Sequence, residues 1–352
     1  MTLHSGPMRG QWSIAPLDVD RATVSIIVPI RNEEESICST LDSVLHQSFP
    51  SSRTEVIVVD GMSTDGTRAV LDRYRQEYAR LQVVDNPGRT VPVALNLGIQ
   101  RATGDVVVRV DGHCRISHDY VECCMALLAE SGAANVGGLM RPECKGAIGQ
   151  AVAVATRSRF GIGNGRFHYL ERQAYVDTVY LGAFRTHVLR ELGGYDEELV
   201  RNQDDELNYR IRHAGYSILL SPDIVSTYVP RHSLRAIWRQ YYQYGFWKVR
   251  VIEKHWGSVQ ARHLAPALLV SGLLASAAAF VMSKRVWTLL PWVGYIGADL
   301  VMALLHTRRS PSQTLPVALV FPCLHLSYGI GFAVGTGRYL LMCARPSAAH
   351  PT

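Results

Sequence analysis

Asp105-Val-Val-Val-Arg-Val-Asp-Gly-His113 is an apolar run that stops abruptly on an acid, a glycine and an imidazole. A β-branched run reads as a buried strand, and a glycine beside an acid reads as its sharp end. Apolar packing gives no reason for a carboxylate and an imidazole two residues apart at such a tip. An oxygen and a nitrogen ligand there suit a divalent cation, with a plain strand-end turn as the alternative. Two further runs end in polar residues of the same kind. Val24-Ser-Ile-Ile-Val-Pro-Ile30 leads into Asn32 and Glu33, and Glu55-Val-Ile-Val-Val-Asp60 ends on its own acid before Gly61–Thr67. Asp204-Asp205-Glu206 opens a helical pattern that stops near Gly215. Three acids at a helix start are ordinarily a solvated first turn. At the mouth of an anion-binding cleft, one of them could act as a base.

The elements that must hold these groups alternate. Strands are predicted over 24–30, 55–60, 82–85 and 105–110. Helical spacing is read from Ile37 to Leu45, from Arg68 to Leu81 and from Pro92 to Ala102. Such alternation implies a parallel sheet with right-handed crossovers, which binds ligands beyond the carboxyl ends of its strands. Asn32, Asp60 and Asp111 all fall there. Each alone is a cap or turn residue; three in one sheet point to a site. No G-x-G-x-x-G follows the first strand, and Gly161-Ile-Gly-Asn-Gly165 has the wrong spacing. Nicotinamide and flavin folds are set aside on that ground, and a P-loop fold because no G-x-x-x-x-G-K-[ST] is present. The seven cysteines form no C-x-x-C pair, so neither a zinc site nor a disulfide framework is expected. The first residues carry no charged-then-apolar leader pattern.

The formal charge of +6 is localised. Seven Lys/Arg against one acid fall between Arg231 and His263, directly ahead of three apolar blocks at 264–283, 286–305 and 315–334. Each block is long enough to span a hydrocarbon core of roughly 30 Å. Ile237–Arg250 interleaves aromatic and basic residues. That pattern also suits single-stranded nucleic acid, but ahead of a span it reads as an interfacial helix, so membrane lipids and not nucleic acid are the expected partner. Asp299 and His325, inside the blocks, could pair with each other. The basic bias puts the domain before the spans in the cytosol, in a multi-pass protein of the cell (inner or plasma) membrane. The expected organisation is a lead-in (1–22), a catalytic domain (23–230), interfacial helices (231–263), about three transmembrane helices (264–337) and a tail (338–352).

Six motifs in order carry a family resemblance over about Val24 to Lys254. They are Ile27-Val-Pro-Ile-Arg-Asn-Glu33, Val58-Val-Asp-Gly-Met-Ser-Thr-Asp-Gly-Thr67, Ala94-Leu-Asn-Leu-Gly98, Val110-Asp-Gly-His113, Gly193-Gly-Tyr-Asp-Glu197 and Asp204-Asp-Glu-Leu-x-x-Arg210. The chain resembles the family 2 glycosyltransferases, of GT-A fold, and among them the succinoglycan-type membrane glucosyltransferases of bacterial exopolysaccharide synthesis. The resemblance implies an α/β GT-A nucleotide-sugar-binding domain with a mostly parallel sheet, followed by the transmembrane region. It puts Pro29, Asn32 and Glu33 near the nucleoside, Asp60 on the uracil of a UDP-sugar, Asp65 in the same loop and Asn96 on the helix before the metal strand. Asp111 matches the first acid of the family's D-x-D, and His113 stands where a second, metal-binding Asp is usual. Asp204 matches the proposed base. Gln203 replaces a Glu and Gly61 an Asp of the family pattern.

The implied reaction is an inverting transfer from a UDP-sugar to a polyprenyl-diphosphate-linked saccharide, alongside other polysaccharide-assembly proteins. A divalent metal at Asp111 and His113 would serve it, Mn²⁺ ahead of Mg²⁺ because an imidazole is a ligand. Arg89 is a further cationic contact for the donor. Asp205, Gln240 and Trp247 are expected near the acceptor and the membrane, the last two as a partial match to the family's Q-x-x-R-W element. A processive synthase and a non-catalytic nucleotide-sugar-binding scaffold are the alternatives.

Overall fold

The computed structural model describes residues 14–343, apart from Lys145, Asn164 and 230–232. Most of the expected lead-in, the end of the tail and Arg231 lie outside the described residues. In chain order the strands and helices begin β1 (Val24–Ile30), α1 (Ile37–Leu45), β2 (Thr54–Asp60), α2 (Thr67–Glu77), β3 (Leu81–Asp85), α3 (Val91–Arg101), β4 (Val106–Arg109), β5 (Cys114–Ile116), α4 (Tyr120–Ser131) and β6 (Asn135–Pro142). There follow α5 (Gly146–Thr156), α6 (Arg159–Ile162), β7 (Ala174–Tyr175), β8 (Tyr180–Arg185), α7 (Thr186–Glu191), α8 (Gln203–His213) and β9 (Ile218–Tyr228). The chain closes with α9 (Leu234–Lys254), α10 (Ala261–Ser283), α11 (Leu290–His306) and α12 (Thr314–Cys343).

Two compact units result. The first is Met1–Arg141 with Arg166–Val229; the second is Pro142–Gly165 with Pro230–Thr352. The first is a mixed sheet in the order β3-β2-β1-β4-β8-β6-β9-β5, with β7 paired to β9. Pairing is parallel through β3-β2-β1-β4 and turns antiparallel where β8 meets β4. The parallel half is built from the apolar runs of the sequence: β1 is buried at all seven positions and β4 at all four. Alternate residues of these strands feed two cores on opposite faces of the sheet. Ile26, Val28, Val56, Val58 and Val108 pack with α1, α2 and α4 residues; Ile27, Ile57, Val59 and Val107 pack with α3, α7 and α8 residues. The tips of β2, β1 and β4 thereby bring Asp60, Asn32 and Asp111 to one end of the sheet.

The second unit is helical. Its apolar helices Ala261–Ser283, Val286–His306 and Pro311–Leu341 are each long and apolar enough to cross a membrane. It also takes in α5 and α6, which the sequence reading left inside one catalytic stretch over 23–230. The departure has a packing cause: Ala151, Val152 and Ala155 of α5 join Val317, Val320, Phe321 and Leu324 of α12 in one core. Asp299 and His325 do not pair. His325 instead shares hydrogen bonds through Nδ1 with the Tyr295 hydroxyl (2.9 Å) and through Nε2 with the Phe160 carbonyl of α6 (2.7 Å).

α9 is more than an interfacial helix, because it lies against α12 along a row of glycines. A Cβ on Gly245 would collide with the Tyr328 carbonyl, and one on Gly331 with the Tyr242 carbonyl. Gly331→Val is therefore expected to destabilise the second unit by about 2 kcal/mol or more, as overpacking does. Gly272→Val, whose Cβ would meet nothing within 4 Å, is the control. Thermal unfolding of the detergent-solubilised protein separates the two.

Candidate active site

The turn after β4 is fixed before any ligand is considered. The Gly112 carbonyl accepts from Ser36 Oγ (3.1 Å) and Thr40 Oγ1 (2.9 Å) of the α1 region. A Cβ on Gly112 would sit 2.6 Å from Ile30 Cγ2, so only glycine lets the turn close on β1. Asp111 and His113 flank it. The His113 ring meets Glu33 Oε1 through Nδ1 at 3.1 Å, which orients the imidazole from the β1 loop.

One residue ties the constellation together, and the sequence reading gave it no role. Arg109 is the last residue of β4 and is buried. Its Nε donates to Asp111 Oδ1 at 2.8 Å, and its Nη1 donates to Asp204 Oδ1 at the first turn of α8. Burial alone would lower the guanidinium pKa, but the two carboxylates outweigh it and hold it well above the ordinary value. The carboxylates respond in opposite directions. Withdrawal from water raises Asp111, yet Arg109, His113 and the Tyr180 hydroxyl (3.4 Å) more than reverse this and leave it below the usual range. Asp204 is raised: desolvation leads, and the charges of Asp111 and Asp205 add to it against the pull of Arg109. Pairs of acids driven apart in this way are the pattern of an assigned base beside a permanently charged partner.

The supports of Arg109 explain the later motifs. Asn96 of α3 clamps Tyr195, giving Nδ2–H to its carbonyl and accepting its N–H on Oδ1, both at 2.8 Å. Glu206 holds Arg210 through both oxygens (2.6 and 2.8 Å), and Arg210 donates on to the Leu192 and Gly194 carbonyls. Together they set the Gly193-Gly194-Tyr195 turn, and the Tyr195 ring lies 5.9 Å from the Arg109 guanidinium carbon.

Several residues given binding roles above also make contacts within the protein. Pro29 is buried in β1, in register with Val59. Asn32, at φ 55°, donates its N–H to Ser63 Oγ (2.9 Å) and accepts from Thr64 N (2.8 Å), tying the β1 and β2 loops. Asp65 accepts from Thr67 N (3.1 Å) at the start of α2. Asp60 is enclosed, accepting from Ser63 and from Arg68 Nε (2.7 Å). Asn96 is turned to Tyr195, as above. Arg89 is exposed after β3. Gln240 and Trp247 belong to α9 in the second unit, where Gln240 Nε2 donates to the Tyr244 hydroxyl at 2.8 Å. Arg109 and Tyr180 are what the sequence reading missed; a lone charge inside a β-branched run was the available signal.

Comparison with known proteins adds to this geometry. Residues 25–193 match the family described as Glycosyl transferase family 2. That match spans just under half of the chain. The succinoglycan biosynthesis protein ExoA of Rhizobium meliloti is 28% identical over 310 residues, covering 87% of this chain and 93% of that protein. A relative from Methanococcus voltae, the dolichyl N-acetyl-alpha-D-glucosaminyl phosphate 3-beta-D-2,3-diacetamido-2,3-dideoxy-beta-D-glucuronosyltransferase, is 26% identical over 323 residues, covering 87% and 95%. Among solved structures, a mannosyltransferase of Pyrobaculum calidifontis, in complex with GDP-Man and Mn²⁺, superposes with a TM-score of 0.63 at 23% identity, covering 90% of this chain and 91% of that one. The domain is thus a GT-A fold, and the three apolar helices that follow complete an α/β domain with a transmembrane region.

Proposed function

We propose that this protein is a membrane-anchored, inverting family 2 glycosyltransferase. It moves a hexose, glucose or a near relative, from a UDP-sugar to a polyprenyl-diphosphate-linked saccharide in cell-surface polysaccharide synthesis. The observation that carries the reading is Arg109 joining Asp111 to Asp204. It sets a donor-side acid and a raised carboxylate on either side of one guanidinium. Relatives named for succinoglycan synthesis and for transfer onto a dolichyl-linked phosphate sugar support the acceptor class.

The donor set fits a divalent cation. Among the described residues no cluster of three or more His, Cys, Asp or Glu side chains forms a closed protein cage. A cation that takes one or two protein ligands and completes its shell with substrate phosphates needs none. Asp111 and His113 would hold it, with Glu33 orienting the imidazole. When bound it offsets the negative charge of the diphosphate leaving group. An imidazole ligand and the Mn²⁺ of the mannosyltransferase complex favour Mn²⁺. His113→Asp is expected to retain transfer and move the optimum from Mn²⁺ toward Mg²⁺, measured as turnover against each ion after chelator treatment. An unchanged Mn²⁺ preference would remove His113 from the ligand set.

The remaining steps belong to the chain's own groups. Asp204, ionised and held by Arg109, accepts the proton of the acceptor hydroxyl as that oxygen attacks the anomeric carbon. Its raised pKa makes it a stronger base than an ordinary Asp. Attack opposite the departing diphosphate inverts the centre, so an α-linked donor gives a β-linkage, in parallel with inverting hydrolysis. For membrane orientation, nine Lys/Arg flank the spans on the domain's side (the seven above with Arg308 and Arg309). Four lie on the other side (Lys284, Arg285, Arg338 and Arg345). That bias favours a cytosolic domain.

A further inference from the structure

The turn from α11 into α12 spends its polar groups on itself. Thr307 is buried, and its N–H and its hydroxyl both donate to the Ala303 carbonyl (3.0 and 2.7 Å). A hydroxyl has one proton, so across the turn Thr314 Oγ1 donates to Thr307 Oγ1 (2.7 Å). Ser310 N–H closes onto the Thr307 carbonyl (2.8 Å), and Gln313 N–H onto the Ser310 carbonyl (2.9 Å). Beside this closed pair of threonines lies a cleft of about 340 Å³. Leu304, Leu305 and Pro311 wall it, and Arg308 is part of its lining. Arg308 forms no ion pair among the described residues, and no Asp or Glu follows Asp299 in the chain. The cleft therefore has apolar walls, one uncompensated cation and no acid of its own.

Where the cleft opens decides what can fill it. Leu304 is 56% exposed and Leu305 44%, on a helix long and apolar enough to cross a membrane. Leucines left bare of protein on a span face hydrocarbon, so the occupant at that depth is a lipid chain. α10 crosses and α11 returns, so the turn lies at the membrane face from which α10 sets out. Arg308, one residue beyond the buried Thr307, puts a guanidinium where that chain's head group would lie. We infer that this cleft binds an anionic phospholipid of the surrounding bilayer. One acyl chain lies against Leu304, Leu305 and Pro311, and the head-group phosphate meets Arg308. A guanidinium matches phosphate oxygens in pairs, and basic pockets between spans take anionic head groups in this way. A saccharide-bearing lipid fits the lining less well. Reading sugar hydroxyls takes several polar partners, and both threonine protons are already spent.

The site goes beyond the transfer reaction and rests on α10, α11 and α12 being spans. Native mass spectrometry of the full-length protein in detergent, titrated with dioleoylphosphatidylglycerol or dioleoylphosphatidylcholine, tests it. The first phosphatidylglycerol is expected to bind at least about fivefold tighter than the first phosphatidylcholine, the worth of one basic contact at a membrane surface. Arg308→Gln is expected to cut that preference to under about twofold. Arg309→Gln removes the same charge one residue on, off the cleft lining, and is expected to keep the preference. Leu304→Trp, which fills the cleft with an indole, should weaken the first phosphatidylglycerol by a factor like that of Arg308→Gln. No preference in the parent protein overturns the site. Equal losses in Arg308→Gln and Arg309→Gln overturn it too, because the effect would then be general surface charge. Displacement of phosphatidylglycerol by an equal concentration of a polyprenyl phosphate would give the cleft to the acceptor lipid and likewise overturn the assignment.

Discussion

Asp204→Asn is expected to lower transfer at least a hundredfold while UDP affinity stays within about twofold, because base catalysis is worth roughly 10²–10⁴. Single-turnover rates and calorimetric titration of the same preparation check both halves. The direction of the Asp204 pKa adds a second expectation. A carboxylate whose pKa is raised on folding is less comfortable ionised in the native state than in the unfolded chain. Its charge therefore counts fully against stability above the folded pKa, and that cost fades as pH falls from the folded value to the unfolded one. A neutral Asn removes that cost, so the variant is expected to melt no lower than the parent at neutral pH. Activity runs the other way, because the base must be ionised, and kcat/KM should fall as pH drops through the raised pKa. A variant with more than about a tenth of parental turnover would take the base role from Asp204.

Arg109→Leu is the second large effect, and it differs in kind. It leaves two carboxylates facing each other across the cleft with no cation between them. Breaking a buried pair by removing one partner costs about 3–5 kcal/mol. We expect a clear drop in melting temperature together with near-total loss of transfer. Arg109→Lys tells charge from geometry. The ammonium is a point charge and cannot serve Asp111 through Nε and Asp204 through Nη1 at once. Stability should largely return, transfer should remain at least about tenfold down, and the acid limb of the pH profile should move upward as Asp204 loses part of its counter-charge. Parental activity in Arg109→Lys would reduce Arg109 to a structural cation.

How much of this was readable from the chain depends on the interaction involved. The parallel half of the sheet was legible because β1, β2 and β4 are continuous apolar runs, and period and burial agree in them. Asp111 and Asp204 were legible because an acid at a strand tip or helix start interrupts a pattern. Arg109 was not, since within Val-Val-Val-Arg-Val a single charge reads as an edge or a tolerated exception. Its meaning lies in Asp204, 95 residues away. The roles of Asn96, Glu206 and Arg210 were hidden for the same reason: all converge on one turn, and convergence is a property of three dimensions. The membership of α5 and α6 in the helical unit was hidden because Gly146–Thr156 is too short and too weakly patterned to announce a partner. The α9–α12 contact was signalled by Gly245, Gly331 and Gly335, but glycine spacing does not say which backbone approaches.

The central claim is inverting transfer of a hexose with Asp204 as base. Purified full-length protein in detergent, given Mn²⁺, a panel of α-linked UDP-hexoses and a polyprenyl-diphosphate-linked saccharide, should yield an acceptor heavier by one hexose. The new anomeric proton should show a β-linkage by NMR, and Asp204→Asn should form no such product. An α-linked product, or equal product from the Asp204→Asn protein, would contradict the account.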